Sequence, residues 1–428
     1  MRRVRTFTKP PVAETIAIGS EMLLGGRTDS NSLYIADELA TLGIEVRFKS
    51  MVGDDRADIV QALHTAVRRA QFIVMTGGLG PTVDDCTREA VAQATGRRLA
   101  RRKDAFEGMR ARLAQWGRIP NKGQLRQALI PSGASVIPNP VGSAPGFWLS
   151  WRGTLLISLP GVPGEMVAMM RETVMPLLAS HVRQAAGRAI QRRVFHTWGI
   201  PEADVDAKLV GLLPRAVPVD LGLLASPMGV LVSLTMKPRA AVEEHALVSL
   251  SEELRVRLRE WLFAEGQESM EEVVGRLLSK QQRTVALAES CTGGLIGHRL
   301  TQVPGSSSYM DRGVICYSNR AKVELLGVPP ELIERHGAVS AEVAAAMAKG
   351  VRERSGVSVG LSVTGIAGPG GGTTAKPVGL VYIGLNADDG ASLVKEHRFH
   401  GDRSVIKLRS SQAALDLLRR WLLAAECR

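Results

Sequence analysis

The chain has 428 residues, too many for one ordinary core, so two or three domains are expected. Its apolar fraction of 45% is that of a folded globular protein, and apolar runs such as Phe72-Ile73-Val74-Met75 fall far short of the roughly 20 residues that span a bilayer. The formal charge of +12 favours anionic partners, phosphorylated small molecules or nucleic acids, while an aromatic content of 4% argues against a base-stacking platform.

The basic start (Arg2, Arg3, Arg5, Lys9) is not followed by an apolar core, so no signal peptide is expected. Thr15 to Gly19 reads as a buried strand, Asn31 to Leu42 as a helix capped by Asp29 or Ser30, Val46 to Val52 as a second strand, Ala57 to Arg69 as a second helix and Phe72 to Met75 as a third strand. This alternation predicts a mostly parallel sheet under helices, with ligands at the carboxyl ends of the strands. The first strand runs into Gly19-Ser20-Glu21, with Asn31 at the next helix start. The third runs into Gly77-Gly78-Leu79-Gly80-Pro81-Thr82-Val83-Asp84-Asp85-Cys86-Thr87. Glycine amides and a helix start form a phosphate cradle, and Asp84 and Asp85 beside it point to Mg²⁺ or another hard cation. Alternatively the two aspartates only charge a helix N-terminus. Two small-residue loops follow, one with Gly142 and one with Gly161, Gly164 and Glu165, the last opening a helix. The Arg97-Arg98, Arg101-Arg102-Lys103 and Arg192-Arg193 runs read as solvated faces.

Beyond residue 180 the pattern becomes strand, helix, hairpin (Leu221–Leu224 with Val230–Met236) and a long helix from Val242 to Trp261. It reads as a small α+β module with a structural or dimerising role, and a homodimer is expected. Ala264 to Glu268 is a polar break. An amphipathic helix from Ser269 then presents Met270, Val273, Val274, Leu277 and Leu278 on one face.

Strand Thr284–Ala288 runs into Glu289-Ser290-Cys291-Thr292-Gly293-Gly294, with a helix from about Leu295. The amides of Cys291 to Gly294 lack helix partners and can stabilise an oxyanion or hold a phosphate. Ser290 can equally be a helix cap. Gly313 to Lys322 delivers Tyr317, Asn319 and Lys322, and a desolvated lysine helped by a tyrosine hydroxyl can activate a serine. Leu361 to Thr373, with Thr364, Gly365 and Gly368, ends a strand in a glycine-dense loop, and Arg403 follows a further strand. A long apolar helix, Leu408–Leu423, closes the chain. The four cysteines (Cys86, Cys291, Cys316, Cys427) show neither CxxC pairing nor metal spacing, as expected of reduced cytoplasmic thiols.

The segments AESCTGG, GVICYSNRAK, SVTGIAGPGGGT and GDR, in that order over residues 265–425, resemble the CinA C-terminal family of nicotinamide mononucleotide amidohydrolases. The resemblance implies hydrolysis of the carboxamide to nicotinic acid mononucleotide and ammonia, without a metal. It implies Ser290 as nucleophile, Lys322 and Tyr317 as its activators, Thr364 and loop amides as substrate contacts, and Arg403 against the nucleotide. The GGLGPTVDD and LPGVPGEM loops, within residues 12–180, resemble the molybdopterin-binding-like domain of full-length CinA proteins. That resemblance implies cleavage of ADP-ribose with Mg²⁺ or Co²⁺, and potassium as a companion ion. A domain that only binds a pterin or nucleotide, or a competence- and DNA-damage-associated binding protein, is the alternative. Without a helix-turn-helix, zinc finger or aromatic-basic surface, no nucleic-acid partner is expected. The expected architecture is α/β: two three-layer α/β domains (1–180 and 265–428) joined by a small α+β module (181–264).

Overall fold

The computed structural model describes residues 11–25, 28–182, 191–213, 217, 219–236 and 244–426. Arg2, Arg3, Arg5 and Lys9, the helix start read at Val242, and Cys427 lie outside the described residues. The chain divides into two compact units, Met1–Gln191 with Thr235–Glu244 and Arg192–Leu234 with His245–Arg428.

The first unit holds strands β1 (Val12–Ile18), β2 (Glu45–Val52), β3 (Phe72–Thr76), β4 (Leu99–Arg101), β5 (Leu129–Pro131), β6 (Ser135–Ile137), β7 (Gly146–Trp151) and β8 (Thr154–Leu159). Six form one sheet in the order β2-β1-β3-β8-β7-β6, and β4 pairs with β5. Strands β2, β1, β3 and β8 run parallel, whereas β7 and β6 are antiparallel additions, so the sheet is mixed at one edge. The hairpin of β7 and β8 turns through Arg152-Gly153, too short a link for a parallel crossover. Phe72-Ile73-Val74-Met75 is apolar throughout because both sheet faces are covered. Ile73 and Met75 pack with Ile59, Leu63 and Val91 on one face, and Phe72 and Val74 with Ile35, Leu39 and Met166 on the other. Two arginines expected in solvent are ties instead: Arg97 donates to the Ser132 and Ser150 carbonyls (2.8 and 3.1 Å) and Arg102 to the Ala134 carbonyl (2.8 Å).

In the second unit, β9 (Gln191–Thr197), β10 (Val219–Ser226), β11 (Gly229–Met236) and β12 (Leu262–Glu265) form a sheet in the order β10-β11-β9-β12. Strand β12 corrects the sequence reading, which ran a helix to Trp261 and a polar break from Ala264. The helix Glu244–Leu258 stops earlier, and β12 pairs antiparallel with β9. Four residues are too few to show a period, and β12 is set by its partner and by burial of Ala264 in the neighbouring core.

The sheet that follows contains β13 (Val285–Glu289), β14 (Met310–Ile315), β15 (Val359–Gly365), β16 (Leu380–Ala387) and β17 (Ser392–Arg398), ordered β14-β13-β15-β16-β17. Strands β14, β13 and β15 are parallel, and β16 is antiparallel to both its neighbours. Val285 and Leu287 face a core with helices Met270–Lys280 and Arg403–Glu426, while Ala286 and Ala288 face Met347 and Val351 of Ala341–Ser355. The unit is therefore three-layered. Ser269 caps the first helix in a reciprocal box with Glu272, and all five anticipated apolar residues are buried. Among the described residues no helix is long and apolar enough to cross a membrane.

Candidate active site

Because β13, β14 and β15 are parallel, their carboxyl ends share one sheet edge, and β17 ends there too, opposite the start of β16. Ser290 leaves β13 with its N–H bonded to the Val363 carbonyl (3.0 Å), which fixes the turn against β15. The helix Asn319–Leu326, capped by Ser318, carries Lys322 back under this turn. Lys322 is only 1% exposed and its Nζ lies 3.1 Å from Ser290 Oγ. The same Nζ donates to the Cys316 and Tyr317 carbonyls at 2.9 and 3.2 Å. A neutral amine has two N–H bonds, and two carbonyls receive them, so its lone pair is left for the serine hydroxyl. Burial pushes the Lys322 pKa below the usual lysine value, which favours that neutral form. Cys291 and Cys316 are buried beside it, and burial pushes their thiols up to about 12 and about 11, so neither offers a thiolate to compete with Ser290.

Three expected roles change here. The Tyr317 side chain is 61% exposed, and its hydroxyl accepts from Arg403 Nη2 (3.1 Å). Its carbonyl, not its hydroxyl, meets Lys322, because the chain turns outward past the end of β14. The helix start after Ser290 is also already occupied. Glu289, 1% exposed, accepts from the N–H groups of Gly294, Ile296 and Gly297 at 3.0, 3.2 and 2.8 Å, and Gly293 N–H bonds Ser290 O at 3.2 Å. The Gly293 and Gly294 amides are thus unavailable to a ligand. Thr364 Oγ1 donates to Ala338 O (2.8 Å) and is buried, so it braces the glycine-dense loop. Gly365 lies beside β16, where a side chain would meet Leu380 O and Val381, and Gly368 O accepts from Arg403 (2.7 Å). Asn319 is exposed at the edge, and the buried Thr292 hydroxyl has no partner among the described residues.

In the first unit, a cavity of about 620 Å³ opens at the carboxyl ends of β1, β3 and β8. Glu21, Asn31, Gly77, Gly78, Gly80, Pro81, Asp84, Asp85, Gly161 and Glu165 line it, as anticipated. Thr82, Thr87, Gly142 and Gly164 are not among the lining residues. Thr87 is fully buried and donates to Gly77 O (2.8 Å), and Gly78, at φ +65°, leaves room for it where a side chain would lie 2.1 Å from its hydroxyl. Thr82 is tied to Asp85, which accepts its N–H at 2.8 Å. Gly142 bonds Asn139 (2.7 Å) and makes space for the Glu165 carboxylate. Asn31 donates to Gly161 O (2.9 Å), and its buried carbonyl oxygen has no partner among the described residues beside the cavity. Burial raises the Glu165 pKa, partly offset by the Asn139 amide at 2.7 Å. Among the described residues, six carboxylates line the cavity (Glu21, Asp29, Asp54, Asp84, Asp85, Glu165) and no lysine or arginine does. Among the described residues no three His, Cys, Asp or Glu side chains form a metal-ligand group.

Comparison with known proteins covers nearly all of the chain. Three family descriptions match in order: a probable molybdopterin binding domain over residues 14–180, a damage-inducible protein CinA KH domain over 192–264, and the CinA C-terminal domain over 267–422. A CinA-like protein of Geotalea uraniireducens is 42% identical over 411 residues, covering 96% of this chain and 97% of that one. The chain belongs to the CinA family. Another CinA-like protein, from Koribacter versatilis, is 43% identical over 419 residues, 96% of this chain and all of its own length. The solved competence/damage inducible protein CihA from Agrobacterium tumefaciens is 43% identical and covers 35% of this chain and 93% of that chain, with a TM-score of 0.34.

Sequence reading missed several members of this CinA chain's two sites. Glu289 was visible as an acid just before a helix start, a position that a helix dipole favours. Asp54, Gln127, Asn139 and Ser143 reach the first cavity or its neighbour Glu165 from segments far apart in the chain.

Proposed function

We propose that the C-terminal domain hydrolyses the carboxamide of nicotinamide mononucleotide, and that the N-terminal domain cleaves the pyrophosphate of ADP-ribose. The 3.1 Å contact between Lys322 Nζ and Ser290 Oγ, in a buried setting with two carbonyls fixing the amine, carries the first reading. Lys322 takes the hydroxyl proton as Ser290 Oγ bonds to the carboxamide carbon. The Cys291 and Thr292 amides, not those of Gly293 and Gly294, meet the developing oxyanion. Lys322 passes the proton to the departing nitrogen, and ammonia leaves an acyl-serine. Water then attacks, giving its proton to Lys322 and restoring Ser290 with release of the carboxylic acid. Substitution Ser290→Ala should abolish ammonia release from nicotinamide mononucleotide while the thermal melt stays unchanged. Retained turnover would remove Ser290 as nucleophile.

For the N-terminal domain the supporting observation is charge. Six carboxylates among the described lining residues repel a pyrophosphate, so cations are expected to enter with it. Mg²⁺ characteristically keeps its waters and uses one or two carboxylates plus substrate phosphates, a pattern that Asp84 fits. Asp85, engaged by Thr82, supports the loop. AMP formed from ADP-ribose with Mg²⁺ or Co²⁺ tests this, and potassium is to be varied alongside. Binding without turnover is the second reading, favoured by the lack of a three-residue ligand group among the described residues. The KH-matched segment, residues 192–264, contains no Gly-x-x-Gly, the loop by which KH modules clamp a nucleic-acid backbone.

A further inference from the structure

Arg403 and Lys407 stand four residues apart at the start of the helix Arg403–Glu426, so their side chains share one face. Their situations differ. Arg403 is tethered, giving one N–H to Gly368 O (2.7 Å) and one to Tyr317 Oη (3.1 Å). Lys407 reaches over the Ser290 turn, its Nζ 3.8 Å from the position a side chain on Gly293 would occupy. Gly293 adopts φ +63° and carries no side chain, so the turn offers the ammonium no side-chain acceptor at this point. Lys407 is half-buried, and no hydrogen bond or ion pair to it is found among the described residues. Nearby acids are spent elsewhere: Glu289 on three helix amides, and Asp402 on the Ser404 hydroxyl (2.6 Å) and Val405 N–H (2.9 Å). A half-buried ammonium with no hydrogen-bond acceptor among the described residues has lost hydration without an equivalent partner. A ligand anion would supply it.

We propose that Lys407 is the anion-binding residue of the Ser290 site, gripping the phosphate of a phosphorylated ribosyl amide, while Arg403 ties Tyr317 to the glycine-dense loop. This rests on the amidase reading given above. It moves the phosphate contact one helical turn along from the residue that the family resemblance indicates. It also makes the phosphate a specificity element, since a neutral riboside offers Lys407 nothing.

The test uses the full chain with Lys407→Met, which keeps the length and apolar stem, and Lys407→Arg, which restores the charge. Ammonia release is compared for nicotinamide mononucleotide and nicotinamide riboside. With Lys407→Met, KM for the mononucleotide should rise roughly 10- to 100-fold, the range of a lost charge-assisted hydrogen bond, with kcat within about twofold. The riboside rate should not change, and Lys407→Arg should recover most of the KM. An unchanged mononucleotide KM, or equal losses on both substrates, overturns the assignment. If the unsubstituted chain releases no ammonia from either compound, the amidase reading has failed instead. Calorimetric titration of ribose 5-phosphate then decides the subsite: binding weakened by Lys407→Met supports it, and equal binding refutes it.

Discussion

In both units a strand runs into a glycine pair and a helix: β3 through Gly77-Gly78 to Thr87, and β13 through Ser290 and Gly293-Gly294 to Leu295. The chain uses these two helix starts in opposite ways. After Ser290 the protein's own Glu289 fills the helix amides, and the basic groups around the turn are Lys322, Arg403 and Lys407. Around Gly77 the lining charges among the described residues are all carboxylates. Similar backbone shapes therefore say little about the ligand, which is set by the side chains that distant segments bring in. On this reading the serine site works by a buried amine and needs no ion, and the acidic cavity needs one.

Chelation tests that contrast most directly. EDTA should abolish AMP formation from ADP-ribose and leave ammonia release unchanged, and parallel loss of both activities would erase the distinction. Lys322→Met should lower kcat for ammonia release by about 10²- to 10⁴-fold, the usual range for a positioned base, with AMP formation unaffected. The pH profile sharpens the role of Lys322. The base must be deprotonated, and its folded pKa lies below the ordinary lysine value, so kcat for ammonia release should rise with pH and level off before the usual lysine range. A rate that falls as pH rises through that region would contradict a neutral-amine base. The smallest effect is on stability. Glu289→Ala leaves three helix amides without their acceptor and should cost roughly 3 kcal/mol, read as a lower thermal melting point. An unchanged melt would mean that water replaces the carboxylate.

Local features were legible in the sequence because they repeat or punctuate. The spacing of Met270, Val273, Val274, Leu277 and Leu278 defines a helix face, and Ser269 with Glu272 marks its start. Ser290 was placed at a strand-to-helix turn by its neighbours alone. The meeting of Ser290 and Lys322, 32 residues apart, depends on β14 lying next to β13, which no local pattern encodes. The direction of Tyr317 was hidden because a strand-end residue can turn either way, and only the route to the next helix decides it. Strand β12 was hidden because pairing with β9, not its own period, makes it a strand. The single-sign charge of the first cavity was hidden because Asp54 and Glu165 are 111 positions apart in the sequence, and only the fold brings them to one wall.

The two groups that receive the Lys322 N–H bonds are main-chain carbonyls, of Cys316 and Tyr317. Every residue type carries such a carbonyl, so no single amino-acid replacement can delete either one. The orientation of this base is thereby insulated from mutation, and drift at positions 316 and 317 can change only how dry the amine is. On the proposed reading, what replacements nearby can change is the burial around Lys322, and with it how far its pKa lies below the usual lysine value.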